Sequence, residues 1–177
     1  MTFHRVGIAV LVGILCGVVG LGGYAIGKTR VQSMTLSKEH QWLEQLSGDF
    51  TFDMSGVTGE SKGTSKVATK LGGLWSVRHF ESEVMGQPYT ALEILGYDPL
   101  KKKYVGVWAD SMTPLLTLAE GEFDENTKTL TMRGKSRGMD GQVGEMVNTM
   151  KLHDDGMLFS MKIEGAPIIS VDYKRKK

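Results

Sequence analysis

Between residues 49 and 175, apolar and polar side chains alternate with a period of two, in short runs interrupted by turn-forming residues. The runs fall at 49–55, 62–70, 74–84, 88–97, 103–112, 114–123, 128–136, 142–152, 157–164 and 167–175. The breaks include Gly72-Gly73, Gly86-Gln87-Pro88, Asp98-Pro99, Asp124-Glu125-Asn126, Asp154-Asp155-Gly156 and Gly165-Ala166-Pro167. Gly, Pro, Asn and Asp each favour a chain reversal for a backbone reason of their own. Ten strands joined by short turns, with no helix between them, cannot make parallel βαβ units, so the pattern predicts an antiparallel meander. A long meander leaves two exposed edges, and closing on itself removes both. The expected fold is all-β, an antiparallel up-and-down barrel of about ten strands.

Ahead of the strands the period changes. Trp42, Leu43 and Leu46 fall at i, i+1 and i+4, which predicts a short amphipathic helix, with Ser37 as N-cap, His40 in the first turn and Gly48 as the stop. Such a helix is expected to plug or cap one end of the barrel. Residues 28–37 are a polar tether, so the domain runs over 38–177. Earlier still, residues 6–27 form a run of 22 without a charge. As a helix it spans about 33 Å, against about 30 Å of bilayer hydrocarbon. Two readings remain: a single transmembrane anchor, or a cleaved signal peptide with Gly23-Tyr24-Ala25 at the cleavage site. The run is long for a signal peptide, which favours the anchor, with the domain on the extracytoplasmic side. Gly13, Gly17 and Gly20 make one flat helix face, a seam for a weak homodimer or simply the glycine common in membrane helices. Cys16 is the only cysteine, so no intramolecular disulfide forms and stability must come from the core.

Charge narrows the function classes. Three of the 21 basic residues lie in the first thirty, where no acidic residue occurs. Residues 31–177 therefore hold 18 basic against 20 acidic side chains, a net charge of −2. That leaves no electrostatic footprint for nucleic acid. The basic tail Tyr173 to Lys177 reads as a solvated chain end. In the hairpin over 96–112, Asp98-Pro99 starts a turn and Lys101 to Lys103 form its tip. Period two sends Asp110 and Ser111 to opposite faces, so the two make no catalytic dyad.

Three stretches, "HQWLEQLSGDF" (40–50), "LGGLW" (71–75) and "LGYDPLKKKYVGVWADSM" (95–112), resemble the bacterial domain of unknown function 1579 family, over residues 38 to 175. More loosely, a short helix followed by Gly48-Asp49-Phe50 is similar to the opening motif of the calycin superfamily, the lipocalins and fatty-acid-binding proteins. Those proteins have Trp where this chain has Phe50, and the resemblance implies an Arg of the last strand beside it, here Arg175. Residues 55–62 are too short for the helix pair of fatty-acid-binding proteins, so the barrel is more similar to the ten-stranded nitrobindin type. Fold likeness carries no function with it.

Barrels of this size can hold one small ligand. Residues 74–81 have mixed faces, Trp75, Val77, His79 and Glu81 against Leu74, Ser76, Arg78 and Phe80, as a partly polar lumen requires. The leading expectation is a container for a small, partly apolar molecule, with Trp75, Tyr104 and Trp108 as walls and Arg78 or His79 as polar anchor. Met132, Met146, Met150 and Met161 either line an adaptable cavity or fill core gaps. One alternative is an envelope interaction module with a filled barrel. Another is an acid/base enzyme built on His79, Glu81 and Asp110. The sequence holds no nucleophilic triad, Walker loop, dinucleotide fingerprint or zinc spacing, which points away from an enzyme. His153-Asp154-Asp155 is a low-specificity metal trio at a turn, and no metal or cofactor is expected. A haem by analogy with nitrobindin needs an axial histidine inside the barrel, His79 or His153.

Overall fold

The computed structural model describes residues 35–138 and 141–177. The membrane-anchor and signal-peptide readings of 6–27, Cys16 and the glycine seam lie outside the described residues. Among those described, no helix is long and apolar enough to cross a membrane.

One helix, α1 (Lys38–Glu44), precedes ten strands: β1 (Gly48–Gly56), β2 (Gly59–Lys70), β3 (Trp75–Val84), β4 (Gln87–Asp98), β5 (Lys103–Asp110), β6 (Thr117–Asp124), β7 (Thr129–Arg137), β8 (Val143–His153), β9 (Gly156–Ile163) and β10 (Ala166–Arg175). Each strand pairs with its neighbours in sequence, and β1 pairs antiparallel with β10, so the meander closes into a barrel without an edge. The closing register sets Phe50 opposite Arg175 and Phe52 opposite Tyr173. The expected strands are thus present. The largest shifts are of three residues: β2 starts at Gly59 where the alternation suggested 62, and β6 starts at Thr117 where it suggested 114. At β6 the cause is local: Asp110 Oδ1 accepts the backbone N–H groups of Met112 and Thr113, each at 2.9 Å, and turns the chain out of the ladder. Pro114, without an N–H, cannot rejoin it.

Even-numbered side chains of β1 and β3 face inward, as Phe50, Phe52 and Phe80 do. At one end α1 seals the lumen with His40, Trp42 and Leu43, all buried. Trp42 lies 4.4 Å from the Phe123 ring and 5.1 Å from Tyr104, whose hydroxyl donates to the Glu39 carbonyl at 3.2 Å. The helix is a plug, as the pattern predicts, but Ser37 does not cap the backbone. Its Oγ instead bonds His40 Nδ1 at 2.8 Å, holding the ring that packs on Tyr97. Just beyond the plug, Gly48 has φ +148°, and a Cβ there would lie 2.2 Å from Arg175 Nη1. The missing side chain lets Arg175 reach the carbonyls of Ser47 and Gln45. Thr35–Lys177 is a compact unit whose core is drawn from its own residues 42 to 173. A closed ladder around a core of this extent is what a unit needs to fold independently.

Candidate functional site

The alternation along β3 buries Ser76, Arg78 and Phe80 and leaves His79 and Glu81 exposed. Arg78 thereby enters the lumen with only 3% of its side chain exposed. Its Nε donates to Glu93 Oε2 on β4 at 2.9 Å, and its Nη1 reaches Ser65 Oγ at 3.5 Å. Nη2 extends to the sulfurs of Met157, at 3.4 Å, and Met150, at 4.0 Å. Met150 is on β8, five strands from β3 in either direction around the barrel. Arg78 therefore crosses the full width of the lumen. Its Cζ also sits 4.8 Å from the centroid of the Tyr173 ring, a cation–π contact. Burial alone lowers the basicity of Arg78, but Tyr173 and Glu93 outweigh it and hold the guanidinium above its ordinary pKa. Burial pushes the Tyr173 hydroxyl up to about 12, against the opposing pull of Arg78.

On one side of this strut the helix-end core is closed. On the other, inward positions of β4 and β5 stay half-buried, among them Tyr89 and Trp108. Glu93 keeps 23% of its side chain in contact with solvent. The ring of Phe80 lies 5.8 Å from both Tyr89 and Trp108 and stacks on Phe52 at 4.3 Å. Burial pushes Tyr89 up to about 12, with Asp110 adding to the effect and a hydrogen bond from Trp108 opposing it. Across the lumen on β8, Asn148 Oδ1 is buried without a hydrogen-bond partner. We call this group the recess: half-buried aromatic rings beside a buried ion pair, with one unsatisfied acceptor across the lumen.

Of the expected ligand residues, Arg78, Tyr104 and Trp108 face the lumen. Tyr104 is spent on the plug, and only Arg78 and Trp108 belong to the recess. Trp75 and His79 are on the outer wall, Trp75 lying over Gly96, whose Cβ would meet its ring at 2.4 Å. The three acid/base candidates do not converge. His79 and Glu81 point outward, and Asp110 Oδ1 is committed to its turn. Ser111, on the face opposite Asp110, accepts the Thr90 N–H with its Oγ at 3.1 Å. Met132, Met146 and Met150 are buried core.

His153 lies outside, 3.8 Å from Asp172, and among the described residues no group of three metal-ligating side chains occurs. With His79 and His153 both outside the lumen, neither supplies the axial ligand that a haem requires. Sequence reasoning missed Glu93, Tyr89, Tyr173 and Asn148. Glu93 was legible, as the one charge in the inward row Tyr89, Ala91, Glu93, Leu95. Two open concavities lie on the outer wall, one over β6 and β7 beside Glu120 and Arg133, the other over β1, β2 and β10 beside Asp53 and Lys62. Both are solvated, mixed-charge surfaces, whereas in the lumen polar groups converge away from water.

A family model described as "Protein of unknown function (DUF1579)" matches residues 35–175. No curated protein matches the chain. Among solved structures the chain is similar to one described as "De novo design of a fluorescence-activating beta barrel", at 14% identity, a TM-score of 0.44, and coverage of 75% of this chain and 96% of that one.

Proposed function

The chain belongs to the DUF1579 family, described as proteins of unknown function, and we propose its role from the lumen: the barrel binds a small, partly apolar molecule in the recess above Arg78. The observation that carries this reading is the Arg78–Glu93 pair at 2.9 Å in the middle of an otherwise aromatic and methionine-rich interior. Desolvating two charges costs more than an apolar pair of the same volume would, so such a pair is poorly explained by stability alone. The pair is neutral, so the ligand it favours is uncharged. Glu93 and Asn148 Oδ1 are free to accept, so that ligand carries hydrogen-bond donors on a frame that packs against Phe80, Tyr89 and Trp108. Arg175, with its Cζ 4.8 Å from the Phe50 ring centroid, supports the calycin-like resemblance. In this reading residues 6–27 tether the barrel to a membrane and the barrel is extracytoplasmic.

A second reading, an interaction module with a filled barrel, is favoured by the dense packing between Arg78 and the plug. Native mass spectrometry of residues 35–177 purified from the native host separates the two. A co-purifying small molecule, lost in Trp108→Ala, is the expected result. An empty barrel that also fails to take up a lipophilic dye saturably sinks the container reading.

A further inference from the structure

The outer wall is polar around most of the barrel and apolar in one sector. On β7 and β8 the outward positions include Thr131 opposite Thr149 and Lys135 opposite Glu145. From β3 to β6, by contrast, the register aligns Val77 with Ile94, Ile94 with Val107, and Val107 with Leu118, an unbroken apolar row across four strands. These residues alternate with the inward Arg78, Glu93 and Trp108, so the row faces outward. Leu118 is 65% exposed, and the β5–β6 loop that leads into it adds Leu115 at 49% and Leu116 at 68%. A contiguous patch of this kind marks a contact surface, where scattered apolar residues would not.

The described chain also starts next to the first strand of this sector, at the barrel end opposite the β5–β6 loop. Leu36 packs against Gly73, two residues before β3 begins. Seven residues separate Thr35 from the end of the charge-free run at Gly27, and seven residues reach at most about 25 Å. We propose that the β3–β6 wall is a lipid-contact face, which rests on a bilayer surface while Leu115 and Leu116 enter the headgroup region. An uncharged apolar face with two exposed leucines at its rim, on a chain that leads back to a charge-free run, fits a lipid surface. The proposal is independent of the ligand reading. With a net charge of −2 over residues 31–177, the barrel gains nothing from anionic lipid, so attachment is apolar and indifferent to salt.

The test is flotation of residues 35–177 with phosphatidylcholine vesicles, which leaves the charge-free run out of the experiment. The barrel is expected to float with the vesicles equally at low and high salt. Leu115→Ser with Leu116→Ser should weaken partitioning at least about tenfold, since the exposed parts of the two leucines, withdrawn from water, are together worth about a decade or more. Ile94→Thr with Val107→Thr, which keeps β-branched side chains in the wall, should weaken it as well. The loop variant is expected to keep the parent melting temperature, since Leu115 and Leu116 are exposed, whereas the wall positions are half-buried and that variant is assayed well below its own melting temperature. Failure to float, or flotation unchanged by both variants, overturns the proposal. So does a dimer in sedimentation velocity that the same substitutions dissociate, because a second copy would then cover the face.

Discussion

Removing the charge of Glu93 should destabilise the barrel more than removing Arg78 altogether. In Glu93→Gln the guanidinium stays in the lumen with 3% of its side chain exposed, and its other contacts are Ser65 at 3.5 Å, two sulfurs and the Tyr173 ring. None of these neutralises it. Stranding a buried charge costs about 3–5 kcal/mol; the cation–π contact is present in parent and variant alike and offsets nothing, so at least about 3 kcal/mol is expected. Arg78→Met leaves the Glu93 carboxylate, which is 23% exposed and stays hydrated, and it refills most of the volume. A cost of about 1–2 kcal/mol follows from one lost charged hydrogen bond. The double variant Arg78→Met with Glu93→Leu strands nothing and should lie within about 1 kcal/mol of the parent or above it. The assay is urea unfolding of residues 35–177 followed by tryptophan fluorescence, comparing midpoints at constant m-value. Equal costs for the two single variants, or a double variant as unstable as their sum, would refute the reasoning, because the pair would then be screened by water rather than buried. A double variant that folds well and no longer retains a ligand would tie the pair to recognition.

Three further outcomes are expected. Tyr173 and Tyr89 are both raised to about 12 by burial, so the folded state holds their protons between pH 10 and 12 while the unfolded chain releases them. Stability should be flat below pH 10 and fall above it, by about 2 kcal/mol for Tyr173 at pH 12; a denaturant midpoint unchanged from pH 9 to 11.5 would contradict the burial of these hydroxyls. Arg175→Ala removes donors to the carbonyls of Ser47 and Gln45 and the contact with Phe50, and should cost about 1–2 kcal/mol. Hydrogen exchange should speed up at α1 first, and uniform loss of protection would argue against a local latch. Gly121→Ala places a Cβ 1.8 Å from the Thr131 carbonyl oxygen, whereas Gly106→Ala meets nothing nearer than 3.4 Å. The first should lower the melting temperature by at least about 5 °C and the second change it little, and equal shifts would show that the β6–β7 backbone yields.

Most of the wall was legible as period two, because each hairpin is bounded by residues whose backbone preferences are strong. The β1–β2 turn is one case, where Gly56 pairs with Gly59 and Gly59 takes φ +94°. The plug was legible from Trp42, Leu43 and Leu46. What alternation could not supply is which side of each strand faces inward, since both sides of β3 carry aromatic and polar residues. Trp75 therefore read as a wall of the lumen although it covers Gly96 outside, and His79 read as an anchor on equal terms with its neighbour Arg78, which alone faces in. Asp110 looked like chemistry because its role, holding two N–H groups of the β5–β6 loop, depends on a turn with no glycine to announce it. Asn148 carried no signal, because its distinction is the absence of a partner in three dimensions.

The ambiguous strands are informative for that reason. On β3, β4 and β5 the usual arrangement is reversed in part: Arg78, Glu93 and Trp108 face in, while their neighbours Val77, Ile94 and Val107 face out. A barrel selected only to fold would place these residues the other way round, with the branched apolar side chains in the core and the charges in water. The inversion is most extended in this sector, where the inward aromatic rings stay half-buried and the β5–β6 loop exposes its leucines, and β8 repeats it on a smaller scale with Asn148 inward beside an outward Val147. Elsewhere, as on β1, Phe50, Phe52 and Met54 are buried and the residues between them exposed, and the alternation reads without difficulty. Local conflict with the folding pattern is expected where a surface serves something other than stability. Here inner and outer faces depart from the pattern on the same three strands, which argues that whatever occupies the recess and whatever lies against the wall meet the barrel at one place.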